Sequence, residues 1–130
     1  MEQYTLIGDE LLIVCFNSFP KNQLLSIDED KVTDALYKMS SDIRFTELFS
    51  KYHFDTDGLF PFSKEVDDGF FALIASQLIA WVNHEFIITK GLEFRFQKFI
   101  QPMLSQKQDE LIQIFSEEME QLLLCKKTAS

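Results

Sequence analysis

The chain has 130 residues, 46% of them apolar, and 21 acids against 12 bases give it a formal charge of −9. Such a field repels polyanions, so DNA binding would need a local basic patch, and the ample apolar content argues against global disorder. With four Gly and three Pro there is little room for linkers or a many-turned β fold, and the length fits one domain over residues 1–130.

The opening residues, MEQYTLIGDE, carry neither a basic n-region nor a cleavage pattern, so no signal peptide is expected. The apolar run 11–16 is too short to cross a bilayer. Residues 9–19 read as a short helix, with Leu11, Leu12, Val14, Cys15 and Phe16 buried, Asp9 as its cap and Pro20 as its stop. Cys15 and Cys125 both sit in apolar helical patterns and read as buried free thiols, which suits a reducing cytoplasm.

Ser26 and Glu29 have the spacing of a capping box ahead of a second helix bearing Val32, Ala35, Leu36 and Met39. The acids Asp28, Glu29 and Asp30 then fall in its first turn, where the helix dipole favours them. A third helix is expected over 41–52, with Ile43, Phe45, Leu48, Phe49 and Tyr52 inward.

The stretch HFDTDGLFPF is rich in turn residues. Setting Gly58 at position 6 of a calcium loop puts Asp57 and Asp55 at 5 and 3, but leaves His53 and Lys64 at 1 and 12, where carboxylate oxygens are required. No calcium site is expected, and Asp57-Gly58 reads as a turn.

Residues 61–81 predict the central helix. Val66, Phe70, Leu73, Ile74 and Trp81 fall on one face, widened by Phe71 and Leu78. Ser63 is the expected N-cap, and Glu65, Asp67 and Asp68 suit the positive end of the dipole. Gly69, Ala72, Ser76 and Ala80 form a strip of small residues open to close approach, and Gln77 reads as a hydrogen-bonded core amide.

Residues 78–82 and 86–89 flank Asn83-His84-Glu85 in the pattern of a hairpin. Thr89 can cap a helix over 91–103 whose apolar face is Leu92, Phe96, Phe99, Ile100 and Met103. Phe94 points the other way, beside Lys98 and Gln101, and Pro102 ends the helix. Following a core over about 5–104, an amphipathic C-terminal helix is expected over about 105–127. Leu111, Ile112, Phe115, Met119 and Leu122 make its stripe, Glu110, Glu117 and Glu120 lie opposite, and Lys126 and Lys127 suit its end.

This order of helices around one small β-hairpin resembles the winged-helix fold, a mostly α class. The likeness is carried by residues 62–99: Leu78-Ile79, then Phe86-Ile87-Ile88-Thr89, then Lys90-Gly91 and Phe94 look like the recognition-helix end, the wing and the following helix. The group ends its second wing strand in Leu/Ile-Thr-x-x-Gly; here Ile88-Thr89-Lys90-Gly91 is one residue shorter. The resemblance implies that the central helix takes the recognition-helix place, and that the C-terminal helix either pairs with a twofold copy as a homodimer or folds back on the core.

A DNA reader exposes bases at the start of its recognition helix. Here Ser63, Lys64, Glu65, Asp67 and Asp68 occupy that surface, three acids against one base. His84-Glu85 lacks a second histidine, no Cys pair has zinc spacing and the glycines are scattered, so no catalytic residue, metal or cofactor is expected. The function that follows is a non-enzymatic acidic protein–protein interaction module, an adaptor, inhibitor or immunity-like subunit of a bacterial system. It would work in the cytoplasm, away from membranes, on a basic protein partner, through Glu65, Asp68, Ala72, Ser76, Phe94 and Lys98. The alternative is a dimeric transcriptional regulator contacting DNA through Lys90, Arg95 and Lys98.

Overall fold

Six consecutive apolar residues leave a helix no polar face, and all six of α1 (Glu10–Phe16) from Leu11 onward are buried. The computed structural model describes residues 4–83 and 85–124, so the expectations for His84, Cys125, Lys126 and Lys127 fall outside the described residues. Helix α1 is shorter than its pattern predicts. Asp9 makes no side-chain cap, and turns at Asn17 and Phe19 end the helix before Pro20 is reached.

A strand absent from the sequence reading follows, β1 (Leu24–Leu25). Because Leu25 pairs with a distant strand, the chain stays extended past Ser26, and the cap of α2 (Glu29–Ser40) moves to Asp28. The Asp28 carboxylate accepts from the Lys31 amide at 2.9 Å, whereas the Ser26 hydroxyl donates to Glu85 at 2.9 Å. The expected third helix is a tighter 3-10 segment over Ile43–Phe49, capped by Asp42, with Phe45, Leu48 and Phe49 buried and Ile43 left in solvent.

Helix α3 (Lys64–Ala75) starts as predicted, with the Ser63 hydroxyl accepting from the Val66 amide at 3.3 Å. It stops six residues before Trp81. Leu78 donates its amide to Leu73 O at 2.9 Å and Gln77 donates to Ile74 O at 3.1 Å, the paired closure of a Schellman ending. Gln77 takes the left-handed position, φ 65°, and is exposed, which corrects the core-amide expectation. The reason lies downstream, where β-branched and aromatic residues find a strand partner.

That partner completes the hairpin of β2 (Ile79–Val82) and β3 (Glu85–Ile88). With β1 they form an antiparallel sheet in the order β1-β3-β2. Leu25 and Trp81 both pair with Phe86, whose ring stacks on Phe70 at 5.3 Å and meets Trp81 edge-on at 5.0 Å. Leu24, Ile87 and Ala80 pair across the opposite face.

Helix α4 (Lys90–Arg95) runs into a π segment (Phe96–Ile100) and a closing 3-10 turn (Gln101–Met103) that contains Pro102. The wider π turn keeps Phe96 and Ile100 buried but swings Phe99 and Met103 out, against the expected face. Helix α5 (Gln106–Leu124) folds back over α1 and α2. Ile112, Phe115 and Met119 enter the core, and the Phe115 ring lies against Phe45 and Phe49 at 5.3 and 5.8 Å. Leu122 stays exposed. The stripe considered for a twofold partner is therefore occupied by this chain's own core, leaving Ile114 and Leu122 as the exposed apolar residues of α5. The fold is mostly helical with a small three-stranded sheet, and no helix among the described residues is long and apolar enough to cross a membrane.

Candidate partner-binding surface

The solvent face of α3 is built from Lys64, Asp68, Phe71, Ala72, Ala75 and Ser76, all exposed and spaced at helical steps. Charge is confined to its first turn and a half. The Lys64 ammonium sits 2.8 Å from the Asp68 carboxylate, so the only base on this face is already paired. Farther along, Phe71 is 66% exposed rather than buried as its pattern suggests, because the core side of α3 is filled by Val66, Gly69, Phe70 and Leu73. The Ser76 hydroxyl donates to Ala72 O at 2.8 Å, which leaves the end of this face apolar and small.

Of the residues expected to bind a partner, Asp68, Ala72 and Ser76 share this face, while Glu65 does not. Its carboxylate accepts from the His53 amide at 3.0 Å and from the Ser63 hydroxyl at 3.1 Å, and lies 3.3 Å from the His53 ring. Those donors hold it below the usual carboxylate range. Glu65 is a brace between α3 and the preceding loop. Asp67 faces Glu29 at the start of α2, where burial first and the Asp67 carboxyl second push Glu29 up to about 8.

The small-residue strip is divided. A Cβ on Gly69 would lie 3.1 Å from Leu12 Cδ1 and 3.3 Å from Asp9 Cα, so Gly69 permits the close approach of α1 and not of the terminal helix. Ala80 lies in β2. Phe94 is 60% exposed, as its position on the wheel predicts, and Lys98 is exposed in the π segment. Both belong to elements that pack on α1 and neither belongs to α3.

The alternative basic set is weakened by its neighbours. Lys90 and Lys98 are exposed, about 12 Å apart along the axis. Arg95 is half-buried and lowers the otherwise raised pKa of Asp9. It lines a recess of about 370 Å³ with Asp9, Glu10, Ile13, Phe99 and Ile100. Arg44, the other arginine, is clamped between Asp42 at 2.7 Å and Glu118 at 2.8 Å, over the Phe45 ring.

The stretch 53–62 is a loop, as its turn residues predict, but periodicity gave no sign of how its apolar side chains are placed. Asp55 and Phe62 exchange backbone hydrogen bonds of 2.7 and 2.9 Å, and the Asp55 carboxylate accepts from the Asp57 amide at 2.9 Å. This small frame holds Leu59, Phe60 and Phe62 outward, at 96%, 57% and 52% exposure. The available signal was three large apolar residues around Pro61 with no periodic partner.

Among the described residues no group of three or more His, Cys, Asp or Glu could hold a metal ion. Cys15 is fully buried, and burial pushes its thiol far up, away from the nucleophilic form. No protein-family model, curated protein or solved structure matches the chain.

Proposed function

We propose that this chain is a non-enzymatic, acidic interaction module, an adaptor, inhibitor or immunity-like subunit that docks on a basic protein. The observation that carries the reading is the α3 face, where the only lysine is tied to Asp68 and an apolar stretch around Phe71 follows. Element order and the β1-β3-β2 sheet are compatible with a winged-helix-like scaffold, and on that scaffold α3 holds the recognition-helix place. An acidic first turn there repels phosphates, while the apolar remainder suits a protein surface. The half-buried position of Arg95 beside Asp9 further reduces the charge available to DNA.

Two measurements test this together. In a gel-shift series against salt the module leaves duplex DNA unretained even at low ionic strength; tight, steeply salt-dependent retention would establish the regulator instead. In co-purification from the native host, Phe71→Asp reduces recovery of the partner without lowering the melting temperature, because Phe71 lies exposed on the α3 face. Unchanged recovery, or a large loss of stability in that variant, would remove the α3 face from the interface.

A further inference from the structure

We propose that the loop over residues 53–62 is a docking knob, and that Leu59, Phe60 and Phe62 enter an apolar pocket rimmed by Lys or Arg on the protein partner. This rests on the interaction reading above and names the contact that reading lacks. Three large apolar side chains within four residues face water, and none of them joins the core cluster. Exposed apolar clusters of this kind mark interaction sites.

The loop is held at both ends. The Asp55–Phe62 bridge closes its neck, Glu65 holds the His53 amide, and the Phe54 ring packs on Phe49 and Tyr37 at 6.1 and 5.6 Å. Pro61 fixes its own φ beside the tip. A tip ordered before binding loses little further entropy when it docks, which favours affinity. At its foot lies a recess of about 260 Å³ lined by His53, Phe54, Asp55, Phe62, Lys64 and Glu65, able to receive one side chain from the rim.

Charge selects the occupant. Asp55 and Asp57 lie within the loop and Glu65 holds its neck at the His53 amide, opposed by Lys51 two residues before it and by a Lys64 already paired with Asp68. An anionic bilayer repels such a collar, and membrane-surface segments ordinarily carry Lys and Arg there. A basic rim around an apolar pocket satisfies both the tip and the collar.

The test is photo-cross-linking in the native host with the full chain carrying Phe60→p-benzoylphenylalanine, and in parallel Phe94→p-benzoylphenylalanine, followed by sequencing of the adducts. The expected result is a discrete protein adduct at position 60 whose linked peptide is apolar and flanked by Lys or Arg. The purified partner should then lose affinity on the order of tenfold with Leu59→Asp or Phe62→Ser, with unchanged melting temperature and weaker binding at high salt. Lipid adducts, adducts only with a second copy of this chain, or a protein adduct at position 94 alone would overturn the knob. A protein adduct at 94 alone leaves the interaction reading standing, whereas no protein adduct from either position removes that reading as well.

Discussion

Replacing Ser116 with Ala tests how α5 is fastened to α1. The Ser116 hydroxyl is fully buried, donates to Cys15 O at 2.8 Å, and accepts from the Ser18 amide at 3.0 Å. With its single proton spent on the carbonyl, it also accepts from the Ser18 hydroxyl at 2.7 Å. At this end of α1 the Asn17 amide donates to Val14 O and Lys21 donates to Asn17 O and Phe19 O, and the Cys15 carbonyl is met by a side chain from α5. Alanine strands one buried carbonyl and one partly buried amide, at about 1–3 kcal/mol each. Water access to the amide and relief of the hydroxyl's own desolvation bring the expected loss to about 2 kcal/mol. In urea denaturation this lowers the midpoint by roughly 1 M at an ordinary slope. Ser18→Ala, which removes only the outer hydroxyl, should cost under about 1 kcal/mol. A Ser116→Ala loss below about 0.5 kcal/mol, or equal losses for the two serines, would refute the capping argument.

Two further outcomes follow from single positions. Gln77→Gly relieves a non-glycine residue at φ 65° at the end of α3 and should stabilise the protein by about 0.5–1 kcal/mol in the same assay; destabilisation would show that the turn is set by other contacts. Glu29 has a folded-state pKa of about 8 against an ordinary 4.5, so its contribution is complete below the lower value and is lost as pH rises through the upper one. The wild-type melting temperature should therefore fall as pH rises from about 4.5 to about 8, by the equivalent of about 1–2 kcal/mol after allowance for the half-solvated site, and Glu29→Gln should flatten the profile over that window. A wild-type midpoint constant over that window would sink the assignment.

Local signals were legible. Ser63 announced the start of α3, Asn83 and its flanking apolar runs announced the hairpin, and the wheel placed Phe94 outside. What escaped depends on partners remote in sequence. Leu24-Leu25 is too short to signal a strand and acquires its identity from Ile87 and Phe86. That pairing in turn moves the α2 cap from Ser26 to Asp28, two residues with equal local claims. The end of α3 was hidden because residues 76–81 continue a helical apolar pattern, and only pairing with β3 converts them to strand. The π segment defeats a fixed 100° step and so reversed Phe99 and Met103. In the candidate site, the acidic α3 start was readable as composition, but the Lys64–Asp68 pair, the bracing role of Glu65 and the outward knob all required coordinates.

The return of α5 governs when this protein can fold. Tyr4 exchanges hydrogen bonds with Gln108, and Phe115 completes the aromatic packing begun by Phe45 and Phe49. A nascent chain emerging from the ribosome therefore carries an unfilled apolar hollow until residues 112–119 have been made. Acquisition of the native state must wait for that late seal, and the half-built chain is the species a chaperone would recognise.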